Sequence, residues 1–367
     1  MRIRLAVVLV LAMAASLPVR AATNTVDEVV AIVRDGVKQN QSDQEMAHAL
    51  HRMNLKTRLD NRTAEELESL APGPKSIAEL ERLREITRDL SAPAEPPSFA
   101  SPPEPTPEEL RDVIAKARLK ALNYTVDLPD FICTETVRRY QGSSNKGPWN
   151  QNDALTLQLT YFDHEENYKL VLLNGRKTER TYDEMGGALS KGEFGSLLLS
   201  VFVPTSRTKF RWLNWTTLRK HTAYVIGFRI DAKDSNYVLR VGQYGGREVS
   251  AVPGQHGFVY IDRESKDVLR VDSESDSIPI DFPLENATRL LDYGETEVGG
   301  RMYLLPLHAE VRMMPRFRDL VTRNEVEFSA FRKFTGESTI SFGDAPDVKP
   351  AEGKTGDDKT KPIPVKK

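Results

Sequence analysis

The spacing of apolar residues divides the chain into a short helical part and a longer strand-rich part. Between residues 24 and 90, apolar residues recur every three or four positions, which is the period of an amphipathic helix. Between residues 130 and 343, apolar and polar residues alternate, which is typical of strands with one buried face. The pattern predicts an α+β protein: a small N-terminal helical module and a large antiparallel β-sheet.

The helical module, residues 24–90, is predicted to contain four short helices. Four Ser/Thr-x-x-Glu capping boxes occur in it, and such boxes satisfy the free backbone N–H groups of a helix start. The boxes begin at Thr25, Ser42, Thr63 and Ser76. We expect the apolar stripes behind them to bury one another, and we expect the module to make contacts with other proteins.

A proline-rich linker over residues 91–106 is predicted to separate the two parts. Seven prolines lie between positions 91 and 107, and proline neither continues a helix nor donates to a sheet ladder. A capping box at Thr106, with Pro107 at the first helical position, then opens a longer amphipathic helix predicted over residues 107–123.

The sheet domain is predicted to span residues 107–343, with about ten strands joined as a meander. Turn residues at Asn174-Gly175, at Gly299-Gly300 and between positions 263 and 266 indicate hairpin connections. One helical stretch, residues 193–203, interrupts the strands. Because the apolar face of a sheet must be covered, the helices at 107–123 and 193–203 are its predicted covers.

The fit between these helices and the sheet decides what the domain can bind. If the sheet is curved and the helices fit loosely, an apolar cavity suited to an acyl chain lies between them. If they fit tightly, the space is only a core, and periodicity leaves both alternatives open. The residues predicted to line such a cavity are Val113, Leu155, Leu157, Leu159, Leu305 and Leu307.

The first 22 residues have the layout of a secretory signal peptide. Arg2 and Arg4 precede an apolar core over residues 5–17, and small residues follow near Ala22. The core is shorter than the roughly 20 residues that span a bilayer, and no later stretch is long enough. We therefore expect an exported protein, periplasmic or secreted, without a transmembrane segment. Residues 344–367 have little to bury and are predicted to form a disordered tail.

Charge and cysteine content narrow the possible partners. The formal net charge is −2 over 367 residues, so no field of one sign indicates nucleic acid or anionic lipid. The single cysteine, Cys133, excludes an intramolecular disulfide and lies too far from residue 22 to carry a lipid anchor. Its strand-like surroundings predict a buried, inert thiol.

Two pairs of segments resemble the periplasmic lipoprotein-carrier (LolA-type) superfamily. Residues 257–262 form a strand ending in Asp, and residues 268–271 return as a strand carrying Arg270. Residues 291–293 and 303–306 are similar to the next two strands of that superfamily. The resemblance covers roughly residues 107–343. It implies a curved, half-barrel-like antiparallel sheet with helices inside it and an apolar cavity for lipid or acyl groups.

Three further segments resemble a set of exported bacterial proteins. They are residues 192–195, 210–212 and 331–334. No functional residue of the carriers corresponds securely to a position of this chain.

Signatures of nucleic-acid binding and catalysis are weak. Residues 67–78 resemble a helix-hairpin-helix, but the module is acidic and Ala71 replaces the first glycine, so a structural role is favoured. Ser190 lies in an incomplete G-x-S-x-G motif without a preceding buried strand. His164 precedes two glutamates, but Tyr168 stands where a second ligand would be needed. We predict no catalytic residue, metal or cofactor.

The sequence therefore predicts a non-enzymatic binding protein for a lipid, acyl chain or lipidated protein at the cell envelope. One alternative is a solid-core scaffold for protein interactions, and another is a serine hydrolase that uses Ser190. Trp212 and Trp215 could stack on a ligand or grip a membrane interface, although packing between adjacent strands is the favoured interpretation.

Overall fold

A computed structural model of the protein describes residues 24–70, 72–94, 97, 101–144, 147–185, 195–244, 247–316 and 320–334. The predicted signal peptide, the predicted tail and Ser190 lie outside these residues. Within them the chain forms six α-helices and thirteen β-strands. The predicted α+β class with one large antiparallel sheet is confirmed.

The helical module contains four helices. They are α1 (Val26–Lys38), α2 (Asp43–His51), α3 (Asn61–Ser69) and α4 (Pro74–Ile86). Their apolar stripes form a core of their own, in which Val29, Val33, Leu50, Leu59, Leu67, Leu80 and Leu83 are fully buried. The stripes bury one another because each recurs at the helical period.

The predicted caps at Thr25 and Ser42 are confirmed, whereas the predicted caps at Thr63 and Ser76 are wrong. Thr25 and Ser42 cap α1 and α2, and Ser42 forms a complete capping box with Glu45. Helix α3 begins earlier than Thr63, because the Asp60 carboxylate accepts the Thr63 N–H at 3.0 Å and acts as its N-cap.

Helix α4 also begins before its predicted cap. Pro74 stands at its first position, and Ser76 lies inside the first turn. The N–H groups of Lys75 and Ser76 donate to the Asp43 carboxylate of α2 at 2.9 and 2.8 Å. A side chain from another helix therefore replaces the local capping box, and it occupies the N–H groups that a helix-hairpin-helix presents to phosphate.

The sheet domain begins with α5 (Pro107–Asp127), which is four residues longer than predicted, and contains a second helix, α6 (Ser196–Phe202). Its strands are β1 (Phe131–Gly142), β2 (Trp149–Phe162), β3 (Glu165–Leu173), β4 (Arg176–Lys177), β5 (Lys209–Leu218), β6 (His221–Ile230), β7 (Leu239–Tyr244), β8 (Arg247–Ala251), β9 (Gly254–Asp262), β10 (Val268–Asp276), β11 (Leu284–Val298), β12 (Arg301–Pro315) and β13 (Val321–Lys333). The expected number of about ten was too low, because strands as short as β4 leave no readable alternation.

Eleven strands of the described chain form one open sheet, and β7 pairs with β8 in a separate hairpin. The order across the large sheet is β4-β3-β2-β1-β13-β12-β11-β10-β9-β6-β5, and every recorded pairing is antiparallel. The predicted turns at 174–175, 263–266 and 299–300 connect β3 to β4, β9 to β10 and β11 to β12.

Different elements pack against the two faces of the sheet. Tyr224 and Ile226 of β6 belong to the main core, together with residues of α5 and α6. The alternate residues Ala223 and Val225 point to the opposite face, where the helical module packs through α3 against β5. Because side chains of a strand alternate, one sheet can support two separate sites, one on each face.

Candidate functional site

The predicted cavity-lining residues lie in the packed interior of the domain, with one exception. Val113, Leu155, Leu157, Leu159 and Leu305 are at most 1 % exposed and belong to the core between the helices and the sheet. Packing of this kind leaves few voids larger than a water molecule.

Leu307 has a different position from the other five. It is half-buried at a register shift between β11 and β12 and lies beside Gly294. The contact of all six side chains with a ligand stays a prediction.

An open cleft of about 200 Å³ lies next to this core, at the C-terminal half of α5. Its other walls come from α6, from the start of β10 and from the start of β12. Its apolar lining consists of Ala121, Tyr124, Leu128, Leu198, Val268 and Leu304 together with the ring of Tyr303. Sequence periodicity did not distinguish these positions from the packed core, and Tyr124 and Leu128 also lie beyond the predicted end of the helix at residue 123.

Charged groups stand at the edge of the cleft. Lys120 Nζ and Asp267 Oδ1 form an ion pair at 2.8 Å that joins α5 to the β9–β10 turn. Asp127 also borders the opening. An apolar interior with a polar edge is the usual arrangement of a site that takes the apolar part of an amphipathic molecule.

Two tyrosine hydroxyls connect the C-terminal end of α5 to the sheet. The Tyr124 hydroxyl donates to the Leu304 carbonyl at 3.0 Å, and the Tyr161 hydroxyl donates to the Thr125 carbonyl at 2.8 Å. Tyr124 also meets Tyr293 edge to face at 5.7 Å. Burial raises the pKa of the Tyr124 phenol well above its ordinary value, so the hydroxyl remains a donor at physiological pH.

A buried ion network connects the opposite face of the sheet to the helical module. Arg270 of β10 contacts the Glu65 carboxylate of α3 and the Asp292 carboxylate of β11, each at 2.8 Å. Arg219 also contacts Asp292, at 2.7 Å, and Thr216 donates to Glu65 at 2.9 Å. The two guanidinium groups hold the pKa of Asp292 far below its usual range.

This network was not predictable from the carrier-like segments that contain two of its members. Arg270 and Asp292 appeared only as residues of carrier-like strands, and Glu65 was counted only in the acidic charge of the module. A signal was present, because Glu65 is flanked by the buried Ala64 and Leu67 on a helix, where an unpaired carboxylate is costly.

The remaining candidate residues have structural surroundings. Trp212 and Trp215 share one strand, β5, and a register shift at residue 213 turns both toward Tyr224 of β6. His164 lies in the β2–β3 turn, and its Nδ1 is 3.0 Å from the Thr125 carbonyl. Cys133 is buried in the main core, which raises the pKa of its thiol well above the ordinary value.

The described residues contain no group of three or more His, Cys, Asp or Glu side chains placed to hold a metal ion. No helix in the same part of the chain is both long enough and apolar enough to cross a bilayer.

Comparisons with known proteins give matches to solved structures alone. No protein-family model matches the chain, and no curated protein matches it. A LolA superfamily protein from Nitrosomonas europaea is similar at 10 % identity and a TM-score of 0.32, covering 61 % of this chain and 93 % of that one. A DUF1329 family protein from Desulfovibrio piger is similar at 10 % identity and a TM-score of 0.28, covering 62 % and 94 %.

A third match is a domain from Vibrio parahaemolyticus, described as an outer membrane lipoprotein-sorting protein. It is similar at 10 % identity and a TM-score of 0.28, covering 61 % of this chain and 95 % of that one.

Proposed function

We propose that the protein is an exported, non-enzymatic binding protein that takes an acyl chain or the acyl group of a lipidated protein. The end of the acyl chain enters the cleft between α5 and the starts of β10 and β12. The observation that carries the proposal is the apolar wall of that cleft, formed by residues such as Leu128, Leu198 and Leu304 beside a charged edge.

The size of the cleft sets what it can hold. At about 200 Å³ it is smaller than the roughly 300–1,000 Å³ of pockets that bury a drug-sized ligand. It therefore holds the end of one chain rather than a whole lipid. Each buried methylene contributes about 0.8 kcal/mol, so a few methylenes give weak, reversible binding of the kind that a carrier needs.

The polar edge suits the other end of the same ligand. Lys120 and Asp267 pair with each other at the opening, each side chain partly exposed. An exposed ion pair contributes little to stability, so a headgroup or a peptide amide can replace one partner at low cost.

The test is a titration of the full exported chain with a fluorescent fatty-acid probe, together with mass spectrometry of organic extracts of the purified protein. Leu304→Trp, which fills the opening, is expected to weaken probe binding at least tenfold. The matched control is Leu119→Trp, because Leu119 lies on α5 outside the cleft and is 63 % exposed. Melting curves of both variants check that they are folded.

The solid-core scaffold is the alternative that the packing of Leu155, Leu157 and Leu159 favours. It predicts that the extracts are free of lipid and that the probe does not bind. Equal loss of binding in the Leu304 and Leu119 variants would also contradict an acyl site in the cleft.

A further inference from the structure

A second, larger cavity lies on the opposite face of the sheet, between the helical module and strands β5, β6 and β9 to β12. Its volume is about 510 Å³. That volume is within the range of pockets that hold a small molecule. It shares no lining residue with the acyl cleft, so binding in this cavity is independent of the function proposed above.

Part of the charge around this cavity is already paired. Arg270 contacts Glu65 at 2.8 Å, and Arg312 contacts Glu85 and Glu310 at 2.6 Å. These contacts join α3 and α4 to the sheet. The walls of the cavity are thereby fixed before any ligand arrives, which lowers the entropy cost of binding.

Three arginines on the same lining lack such partners. In the described residues, the guanidinium groups of Arg58, Arg84 and Arg88 form no hydrogen bond and no ion pair, and all three border the cavity. Arg84 and Arg88 are four residues apart, at the end of α4. Like charges at this spacing repel each other, and an anion between them relieves the repulsion.

The carboxylates nearby do not compensate these three arginines fully. Glu65, Glu68 and Asp272 interact with Arg84 through space, and Asp272 also with Arg88, but without a contact of hydrogen-bond length. Burial raises the pKa of Glu68 to about 7 and also raises that of Asp272. A pKa near 7 means that Glu68 carries only part of its negative charge near neutral pH.

The two other carboxylates on the lining accept hydrogen bonds from neighbouring groups. Asp60 accepts from Thr63 at the start of α3, and Glu274 accepts from Asn286 of β11. They are thus engaged in holding the protein's own structure.

We infer that this cavity binds a phosphate group, carried by a small soluble ester or by a lipid headgroup. A guanidinium donates two parallel hydrogen bonds to phosphate oxygens, and a phosphate has enough oxygens to accept from several arginines at once. Leu213, Val225 and Phe258 form an apolar wall beside the arginines. That wall provides a surface for the organic part of the ester.

The test is calorimetric titration of the full chain with inorganic phosphate and with glycerol 3-phosphate, and cosedimentation with phosphatidylglycerol vesicles. Arg84→Gln and Arg88→Gln are each expected to weaken binding about tenfold, the loss of one charge-assisted contact. Arg58→Gln is expected to weaken binding as well. Arg58 is exposed and lies outside the helices, so this variant tests the cavity without altering α4. The matched control is Arg111→Gln, an exposed arginine of α5 on the other side of the sheet.

Each outcome has a defined meaning. Binding of the soluble ester alone identifies a free phosphate ester, and binding of vesicles alone identifies a lipid headgroup. Absence of both overturns the inference. An equal loss in the Arg111 control also overturns it, because the binding would then be nonspecific attraction to positive charge. Loss of probe binding at the acyl cleft leaves this result unaffected.

Discussion

Glu65 and Arg270 are 205 positions apart in the sequence, and their side chains form an ion pair at 2.8 Å between α3 and β10. Both side chains are almost fully buried. Asp292, on the neighbouring strand β11, is the second carboxylate that pairs with the Arg270 guanidinium. The helical module is therefore attached to the outer face of the sheet by a buried charge, in addition to apolar packing.

Removing the Glu65 carboxylate is expected to destabilise the fold. A Glu65→Leu substitution leaves Arg270 with one carboxylate partner instead of two, and breaking a buried pair costs about 3 kcal/mol or more. Urea unfolding at pH 7 measures the loss. The control is Glu66→Leu, a half-buried neighbour on the same helix, which is expected to change the free energy of unfolding little. Similar values for both variants would show that the pair does not stabilise the docking.

Acid is expected to destabilise the protein through Glu310. Arg312 and Arg323 contact this half-buried carboxylate at 2.6 and 2.7 Å and lower its pKa to about 2. A lowered pKa means that the stabilisation is complete above the unfolded pKa, near 4.3, and is lost as the pH falls toward 2. The full loss is expected to be roughly 3 kcal/mol, and about half of it is expected by pH 3.

Urea unfolding at pH 7 and at pH 3 checks this expectation. Glu310→Gln is expected to be less stable than the native chain at pH 7 and to depend less on pH. Glu285→Gln is the matched control, because Glu285 is exposed on β11. If the Glu310 variant shows the same acid sensitivity as the native chain, other carboxylates are responsible.

Local patterns in the sequence predicted the elements better than the contacts between them. The caps at Thr25 and Ser42 were predictable, because box and apolar stripe lie within one turn of each other. The start of α3 was not, because Asp60 competes with Thr63 as a capping residue and the pattern does not rank them.

The contacts that form the ion network and the acyl cleft could not be predicted from local sequence patterns. The pairing of Glu65 with Arg270 requires that α3 lie against β10, and the order of strands decides this. The acyl cleft likewise forms where α5, α6 and two strand ends meet. The alternation of apolar and polar residues predicted that Leu155 and Leu157 face the interior. It cannot show whether such a residue is packed in the core or lines a cavity.

The Cys133 thiol is expected to resist alkylation in the folded protein. It is fully buried, and burial raises its pKa well above the ordinary value, so little thiolate is present and reagents have no access. Labelling with iodoacetamide at pH 8 is expected to be on the order of 100-fold slower than in guanidinium chloride, since it requires local opening. Leu119→Cys adds an exposed thiol as the positive control, and equal labelling of both cysteines would contradict the buried position.

Gly73 is expected to tolerate no side chain, because it satisfies two conditions at the start of α4. Its φ is +109°, which favours glycine, and a Cβ added there would lie 2.5 Å from Asp43 Cγ. The same Asp43 carboxylate accepts the N–H groups of Lys75 and Ser76. A methyl group at position 73 would therefore push away the group that caps the helix.

The measurement compares Gly73→Ala with Gly175→Ala by urea unfolding. Gly175 also has a positive φ, +73°, but its added Cβ would meet nothing within 4 Å. A positive φ costs a non-glycine residue about 1–3 kcal/mol, so Gly175→Ala measures this contribution alone. Gly73→Ala is expected to lose more, because it adds the displacement of Asp43. Equal losses in the two variants would mean that Asp43 moves aside freely and that its hydrogen bonds to Lys75 and Ser76 do not stabilise α4.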